Sequence, residues 1–312
     1  MIWAENQTQI VEKCDMCECS DLVFKVKRPD GLPVNECIKC GFSFLGRRPC
    51  KDAIAAYYDQ AYFQDSSTYQ DYFSYARAVT ELGYCPRLHR LEPFINDWKS
   101  KKILEIGCAA GSTLALIKRL GGEVEGIEIS KIASGIANDY FKIKVFNGSY
   151  EDALIKNNYF DYVLMFDVLE HITNPGKAID HITKVLKQNG FFALTVPNFD
   201  RFAIEGLKWP GIQSWFEHIN YFNSEVLCNR LEAAGFRIVE QHTYTAGLNK
   251  SGKFENRTMR SLKIRLKQKA HFIETSFRIA RKLKFILKGP PHLDVRKNKS
   301  GMDLFVLAQK KC

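Results

Sequence analysis

Two pairs of cysteines near the start of the chain have the spacing of a metal site. Cys14 and Cys17 are separated by two residues, and Cys37 and Cys40 repeat that spacing after an interval of 19 residues. Each pair can set two thiolates on one tight turn, and two turns complete the tetrahedron that Zn²⁺ prefers. Gly41 follows the second pair, where a turn around a metal is best made without a side chain. Four protein ligands leave no position for water, so the ion expected is structural rather than catalytic. It would stabilise a segment too short to fold on a core of its own. Cys19 competes with Cys17 for the second ligand position, with Cys17 giving the cleaner spacing, and Cys50 is spare. A redox dithiol needs only one such pair.

A second constellation lies further on. A β-type run at 103–106 enters the small residues Gly107, Cys108, Ala109, Ala110 and Gly111, and a helical stretch follows. Small residues let the backbone approach a ligand, and the start of a helix offers free N–H groups to its polar atoms. Glu105 precedes this turn. Glu128 lies at the end of the next β-type run, before Ile129, about 20 residues beyond the turn, where a carboxylate can accept both hydroxyls of a ribose. The ligand is therefore a dinucleotide or an adenosyl compound. The dinucleotide fingerprint asks for glycine where this chain has Ala109 and Ser112. The turn instead resembles motif I of the class I S-adenosylmethionine-dependent methyltransferases. That resemblance implies that Glu105, Gly107, Cys108, Ala109 and Gly111 hold the methionine part of the cofactor, and Glu128 its ribose.

The resemblance continues in order along the chain. Residues 146–152 look like the third-strand segment that flanks adenine in the family, with Ser149 where an aspartate often binds the adenine amine. Residues 160–172 look like its fourth strand and the loop after it, and 186–198 like its fifth-strand region. Ligands of open parallel sheets sit beyond the carboxyl ends of the strands. Asp167, Glu170 and His171 should thus line the mouth, Asp167 beside the cofactor and Glu170 and His171 beside the acceptor. His171 is the candidate general base, because an unperturbed imidazole titrates near neutrality; orienting the loop is an equally good account of it. His218, inside an aromatic stretch at 215–222, is either a second active-site group or a hydrogen-bonded core residue. Asp167, Glu170 and His171 also resemble the metal-binding set of the quinone-biosynthesis O-methyltransferases.

The elements that must position these groups follow from the pattern. β-type runs at 103–106, 123–129, 143–146, 162–166 and 191–196 alternate with helical-period stretches, and two further runs fall at 236–243 and 302–309. Alternation of this kind gives an α/β, Rossmann-like sheet, mostly parallel with the last strand antiparallel, carrying a small N-terminal zinc-ribbon module. The expected divisions are 1–50 for the cysteine module and 51–100 for a helical, tyrosine-rich lid or linker. Residues 101–248 plus 300–312 form the cofactor-binding domain, and 249–299 a basic helical insertion.

Charge is concentrated in that insertion, which carries 16 Lys/Arg against 3 Asp/Glu, whereas the whole chain carries 45 against 35. Residues 261–288 read as a basic amphipathic helix. It is either a packed helix with a solvated face or a docking element for anionic lipid, RNA phosphates, a pyrophosphate-linked substrate or a partner protein. The hydrophobic fraction of 46% argues against global disorder. The start of the chain lacks a signal-peptide pattern and no apolar run reaches membrane-span length, which predicts a cytoplasmic protein, peripheral at the inner membrane face if the insertion binds lipid. Ten cysteines in that compartment suggest metal ligands and buried thiols rather than disulfides.

The cysteine-rich start, the tyrosines at 57–62 and the Leu169-Glu170-His171 loop together resemble bacterial methyltransferases acting on nucleotide-linked sugars or surface-polysaccharide precursors. The implied acceptor is a small molecule or a glycan, nucleotide-linked or lipid-linked, methylated on oxygen or carbon. Two other readings stay open: a zinc-ribbon RNA methyltransferase, and an adaptor that binds the cofactor without turnover.

Overall fold

The computed structural model describes residues 4–50, 53, 66–83, 85–95, 97–213, 217–245, 294–296 and 301–312. The chain opens with strands β1 (Thr8–Ile10), β2 (Leu22–Lys27), β3 (Pro33–Cys37), β4 (Ser43–Leu45) and β5 (Arg47–Pro49). Helices α1 (Ser66–Leu82) and α2 (Pro86–His89) follow. Strand and helix then alternate through β6 (Lys102–Ile106), α3 (Ser112–Arg119), β7 (Glu123–Glu128), α4 (Lys131–Asp139) and β8 (Lys144–Asn147). β9 (Phe160–Phe166), α5 (Pro175–Val185) and β10 (Leu186–Pro197) continue the series. Last come β11 (Asn220–Tyr221), α6 (Ser224–Ala233), β12 (Phe236–Thr245), β13 (Asp294–Arg296) and β14 (Asp303–Lys310).

The main sheet has eight strands in the order β13-β12-β14-β10-β9-β6-β7-β8. β6 to β10 are mutually parallel, and β14 runs antiparallel between β10 and β12. This is the expected mostly parallel sheet with an antiparallel last strand. The chain leaves β6 toward β7 on one side and later returns to β9 on the other. The strand order therefore reverses beside β6, which opens a crevice at the carboxyl ends.

Burial alternates along the strands as a pleat covered on both faces requires. On β9, Val163 and Met165 join one apolar cluster, and Tyr162, Leu164 and Phe166 join the other. Local chemistry sets the helix starts. Asn174 accepts a hydrogen bond from the Lys177 N–H with Pro175 at the first helical position of α5, Ser130 caps α4 and Asn223 caps α6.

The cysteine module is built into this body. β2, β3 and β4 form an antiparallel sheet whose fourth strand is β11, with Phe44 opposite Asn220 and Ser43 opposite Tyr221. Val11, Cys14, Met16, Cys37, Phe42 and Phe44 belong to the same apolar cluster as Leu104, Met165 and Val306 of the main sheet. α1 packs on the other side, where Ala76 meets Ala110 and Ile136. The basic helix expected at 261–288 lies outside the described residues, as do Tyr57, Tyr58, Tyr62 and Phe63 of the tyrosine-rich stretch and Trp215 and Phe216. Only β13, at the far end of the insertion, is described, as the edge strand beside β12. No helix among the described residues is long and apolar enough to cross a membrane.

The module and the sheet domain come close at Gly176, where an added Cβ would stand 2.2 Å from the Asp15 carbonyl oxygen. Alanine normally improves a helix over glycine, but here the clash is with backbone and must dominate. We predict that Gly176→Ala lowers stability by about 2 kcal/mol, whereas Gly135→Ala in α4, where a Cβ meets nothing within 4 Å, raises it by roughly 0.5 kcal/mol. Thermal unfolding of the two variants checks the contrast. A stable Gly176→Ala protein would mean that the module does not seat on α5 in this way.

Candidate active site

The turn after β6 alternates residues of left-handed backbone, with φ of +71° at Gly107, +47° at Ala109 and +74° at Gly111. Gly107 also has no space for a side chain, since a Cβ there would lie 2.3 Å from Val168 Cγ2 in the loop after β9. The turn and the Leu169-Glu170-His171 loop are thereby brought into contact across the crevice. Ala109 tolerates the conformation that its methyl group makes costly by about 1 kcal/mol, because its N–H donates to Glu128 Oε2 at 2.8 Å. The Ser130 N–H donates to Glu128 Oε1 at 2.8 Å, and Asn147 Nδ2 donates to the Glu128 and Ile129 carbonyls. Glu128 is 6% exposed. Burial raises its pKa, opposed by the N–H bonds it accepts. The Cys108 side chain points away from this turn, packing against Gly126 in the core, so only its backbone faces the ligand side. Ser149 Oγ accepts the Glu151 N–H and donates to the Glu151 carboxylate, capping a short helical turn at Tyr150–Asp152.

Glu105 is 1% exposed, and neither carboxylate oxygen has a hydrogen-bond partner among the described residues; the Thr113 side chain is its polar neighbour. Burial pushes its pKa up to about 8, and the Arg87 guanidinium opposes the rise. Arg87 donates to Asp167 Oδ2 at 2.8 Å and lies over the Phe166 ring. Asp167 itself has φ of +58° and accepts a hydrogen bond from the Thr195 hydroxyl at 2.7 Å. An acidic group buried without donors fits a ligand that brings an ammonium. A second buried carboxylate one strand away, already gripping the turn, fits a ribose. The pair matches the ends of S-adenosylmethionine better than those of a dinucleotide. Arg87 was not legible in the sequence, since a lone arginine in a short helix gives no pattern.

Beyond Val168, three side chains converge. A carboxylate oxygen of Glu170 and ring nitrogens of His171 and His218 lie within 4.8 Å of one another. His171 Nδ1 is 3.0 Å from the Glu217 carbonyl and His218 Nδ1 3.2 Å from the Gly211 carbonyl. Carbonyls only accept, so in both neutral rings Nδ1 carries the proton and Nε2 is the basic nitrogen. The rings meet edge to face with centroids 5.0 Å apart. His171 does not keep the near-neutral pKa expected from its type. Burial lowers it to about 4, while the Glu217 carbonyl and the Asp167 charge act in the opposite sense. Burial, with the His171 charge adding to it, takes His218 well below the usual range. Glu170, 1% exposed and with no partner for Oε2 among the described residues, is pushed well above the carboxylate range by burial and by Asp167. At neutral pH the cluster therefore holds two neutral imidazoles beside a carboxyl group whose burial favours its protonated form.

The four cysteine thiols at the other end of the module form a second cluster. The Cys14–Cys40 and Cys17–Cys37 sulfurs are each 3.5 Å apart, and all four lie within 4.8 Å. Zinc–sulfur bonds of about 2.3 Å need edges of roughly 3.8 Å, so the donor set fits a tetrahedral ion. Cys19 stands apart, its sulfur accepting the Asp21 N–H and its carbonyl the Cys14 N–H, so Cys17 completes the set.

A family model described as a methyltransferase domain matches residues 75–241. The ubiquinone biosynthesis O-methyltransferase of Azoarcus sp. (strain BH72) is 28% identical over 139 residues, 39% of this chain and 60% of that enzyme. The C-methyltransferase NovU of Streptomyces niveus is 26% identical over 146 residues, 45% of this chain and 34% of that enzyme. The chain thus spans less than two thirds of either relative. Among solved structures, the complex between the Trm112 methyltransferase activator of Haloferax volcanii and a methyltransferase has a chain that superposes with a TM-score of 0.50 at 12% identity. It covers 78% of this chain and 96% of its own length, a likeness of fold.

The Glu105 pKa has a consequence for stability. A carboxyl group raised from 4.5 to about 8 on folding contributes stability that is complete below 4.5 and is lost as pH rises through 8. Without cofactor, the unfolding temperature should climb as pH is lowered across that window, and Glu105→Gln should flatten part of the climb. Scanning calorimetry of both proteins at about pH 6 and about pH 8.5 measures this. Parallel slopes would assign the pH dependence to other groups.

Proposed function

The chain belongs to the methyltransferase-domain family, as a class I S-adenosylmethionine-dependent methyltransferase, and from that premise we propose that it methylates a small hydroxylated acceptor at the Glu170, His171 and His218 cluster. The reading rests on one observation above the others: the crevice that carries Glu105 and Glu128 is in contact, through Gly107 and Val168, with a pair of neutral imidazoles, His218 buried and His171 half-buried. Glu105 and the turn 107–111 would hold the amino-acid part of S-adenosylmethionine, and Glu128 its ribose. The bound cofactor supplies an electrophilic methyl carbon on a sulfonium centre.

The chain's own groups provide alignment and proton handling. His171 Nε2 accepts the proton of an acceptor hydroxyl, while the Glu217 carbonyl holds the ring by Nδ1. The Asp167 charge favours the resulting imidazolium. His218 orients the same hydroxyl, and the apolar walls that depress both imidazoles also exclude water. A sugar in a nucleotide-linked or lipid-linked glycan precursor is the acceptor that best suits paired imidazoles, on oxygen or on an adjacent acidic carbon. The likeness to a C-methyltransferase and to quinone O-methyltransferases leaves the methylated atom to experiment. Cys14, Cys17, Cys37 and Cys40 would hold a structural zinc ion.

Calorimetric titration tests the premise. S-adenosylmethionine should bind and NAD should not, and Glu128→Ala should weaken binding on the order of tenfold or more by removing both the ribose acceptor and the anchor of Ala109. Unchanged affinity in that variant would remove Glu128 from the cofactor site. Metal analysis of the same preparation should find about one zinc per chain, and Cys37→Ser should lose it and unfold at lower temperature. Full zinc content in Cys37→Ser would overturn the ligand set.

A further inference from the structure

Arg28 sits at the end of β2's ribbon, in the cysteine module, yet it is 2% exposed. Its guanidinium pairs with Asp30, whose side chain is equally buried. Burying such a pair costs several kcal/mol per ion before their attraction repays it, so stability alone is a weak reason for its presence. Its remaining donor geometry is specific. Nη1 donates to the His218 carbonyl oxygen at 2.7 Å and to the Tyr221 hydroxyl at 3.1 Å, and that hydroxyl lies 3.2 Å from the same carbonyl. The Leu45 N–H donates to the Ile219 carbonyl at 2.9 Å. On the opposite edge the Ile219 N–H donates to the Glu170 carbonyl at 3.0 Å, and Asn220 Nδ2 donates to the carbonyls of Leu169 and Ile172. The segment bearing His218 is therefore clamped between the cysteine module and the loop bearing Glu170 and His171.

We infer that Arg28 is a positioning residue for methyl transfer, fixing the peptide after His218 and so the separation of the two imidazoles. This rests on the reading that His218 belongs to the active site. The module then acts on the chemistry through the charged hydrogen bond to the His218 carbonyl, supported by the Leu45–Ile219 bond. The charged and titratable groups around His218 are His171 and Glu170 from the loop after β9, Glu217 beside it in sequence, and Arg28, Asp30 and Tyr221 on the module side. Arg28 also adds positive charge that disfavours the imidazolium.

The test uses the full chain, zinc-replete and labelled at histidine, with ring resonances assigned by His218→Gln and His171→Gln. In Arg28→Met the His218 ring resonance should move and its titration midpoint rise. His89 and His242 should stay in place, and S-adenosylmethionine affinity and zinc content should be unchanged. Arg28→Lys should fall between, since one ammonium cannot both fork onto Asp30 and reach the carbonyl. Should Arg28→Met fail to fold, Tyr221→Phe removes only the hydroxyl bridge and should shift the same resonance to a lesser degree. Variants that lose thermal stability while the His218 resonance stays put would overturn the inference and leave Arg28 a packing group. Absence of S-adenosylmethionine binding in the parent protein would instead count against the functional reading itself.

Discussion

Three acidic side chains stand buried at the carboxyl ends of adjacent strands, and the rest of the site is arranged around that electrostatic cost. Glu105 is the last residue but one of β6, Glu128 ends β7 and Glu170 follows β9, each at most 6% exposed. An isolated carboxylate in such surroundings takes up a proton or finds a donor. Glu128 finds two backbone N–H groups and in doing so shapes the turn between Gly107 and Gly111. Glu105 finds none among the described residues and has the Arg87 charge to oppose its protonation. Glu170 lies buried beside two imidazoles, with no partner for Oε2 among the described residues. The three environments differ: one carboxyl group is bound by backbone N–H groups, one faces an arginine charge, and one sits beside two imidazoles.

The crevice exists because the strand order reverses beside β6, but the wall that carries His218 is not made by the parallel sheet alone. β11 is the fourth strand of the module sheet: it pairs with β4, and the isolated bridge between Asn198 and Phe222 ties the residue after it to the residue that follows β10. Phe222 also lies 5.1 Å from Phe42, so the apolar contact and the hydrogen-bond ladder reinforce one another. A module that a linear reading treats as an appendage thus contributes to the wall that presents His218.

The strands of the sheet were legible from periodicity where the runs are continuous and buried on both faces, as at 103–106, 162–166 and 191–196. The cofactor turn was legible for a similar reason: Glu105, Gly107, Gly111 and Glu128 are local to one strand-turn-helix unit. Cys17 could be preferred over Cys19 only by spacing, and the Asp21 and Cys14 backbone contacts of Cys19 supply the physical reason. What could not be read is non-local. β11 is two residues long, with no alternation to betray it, and its partner lies in the first fifty residues. Arg28 and Arg87 likewise owe their significance to residues far along the chain. The pKa of His171 depends on burial by the surrounding fold, which its neighbours in sequence do not specify.

The pairing of Phe44 with Asn220 also constrains how the protein is made. On a ribosome working at about 5–20 residues per second, some 10–35 s pass between synthesis of β4 and synthesis of its partner strand. For that interval the Arg28 guanidinium has no His218 carbonyl to meet, and Phe42 has no Phe222. All four clustered thiols, however, lie within the first forty residues and emerge together. A zinc ion captured there would order the nascent module early, giving it a preformed edge that awaits a strand encoded much later. The slow, high-contact-order step of folding is then the docking of one short strand rather than the assembly of two sheets at once.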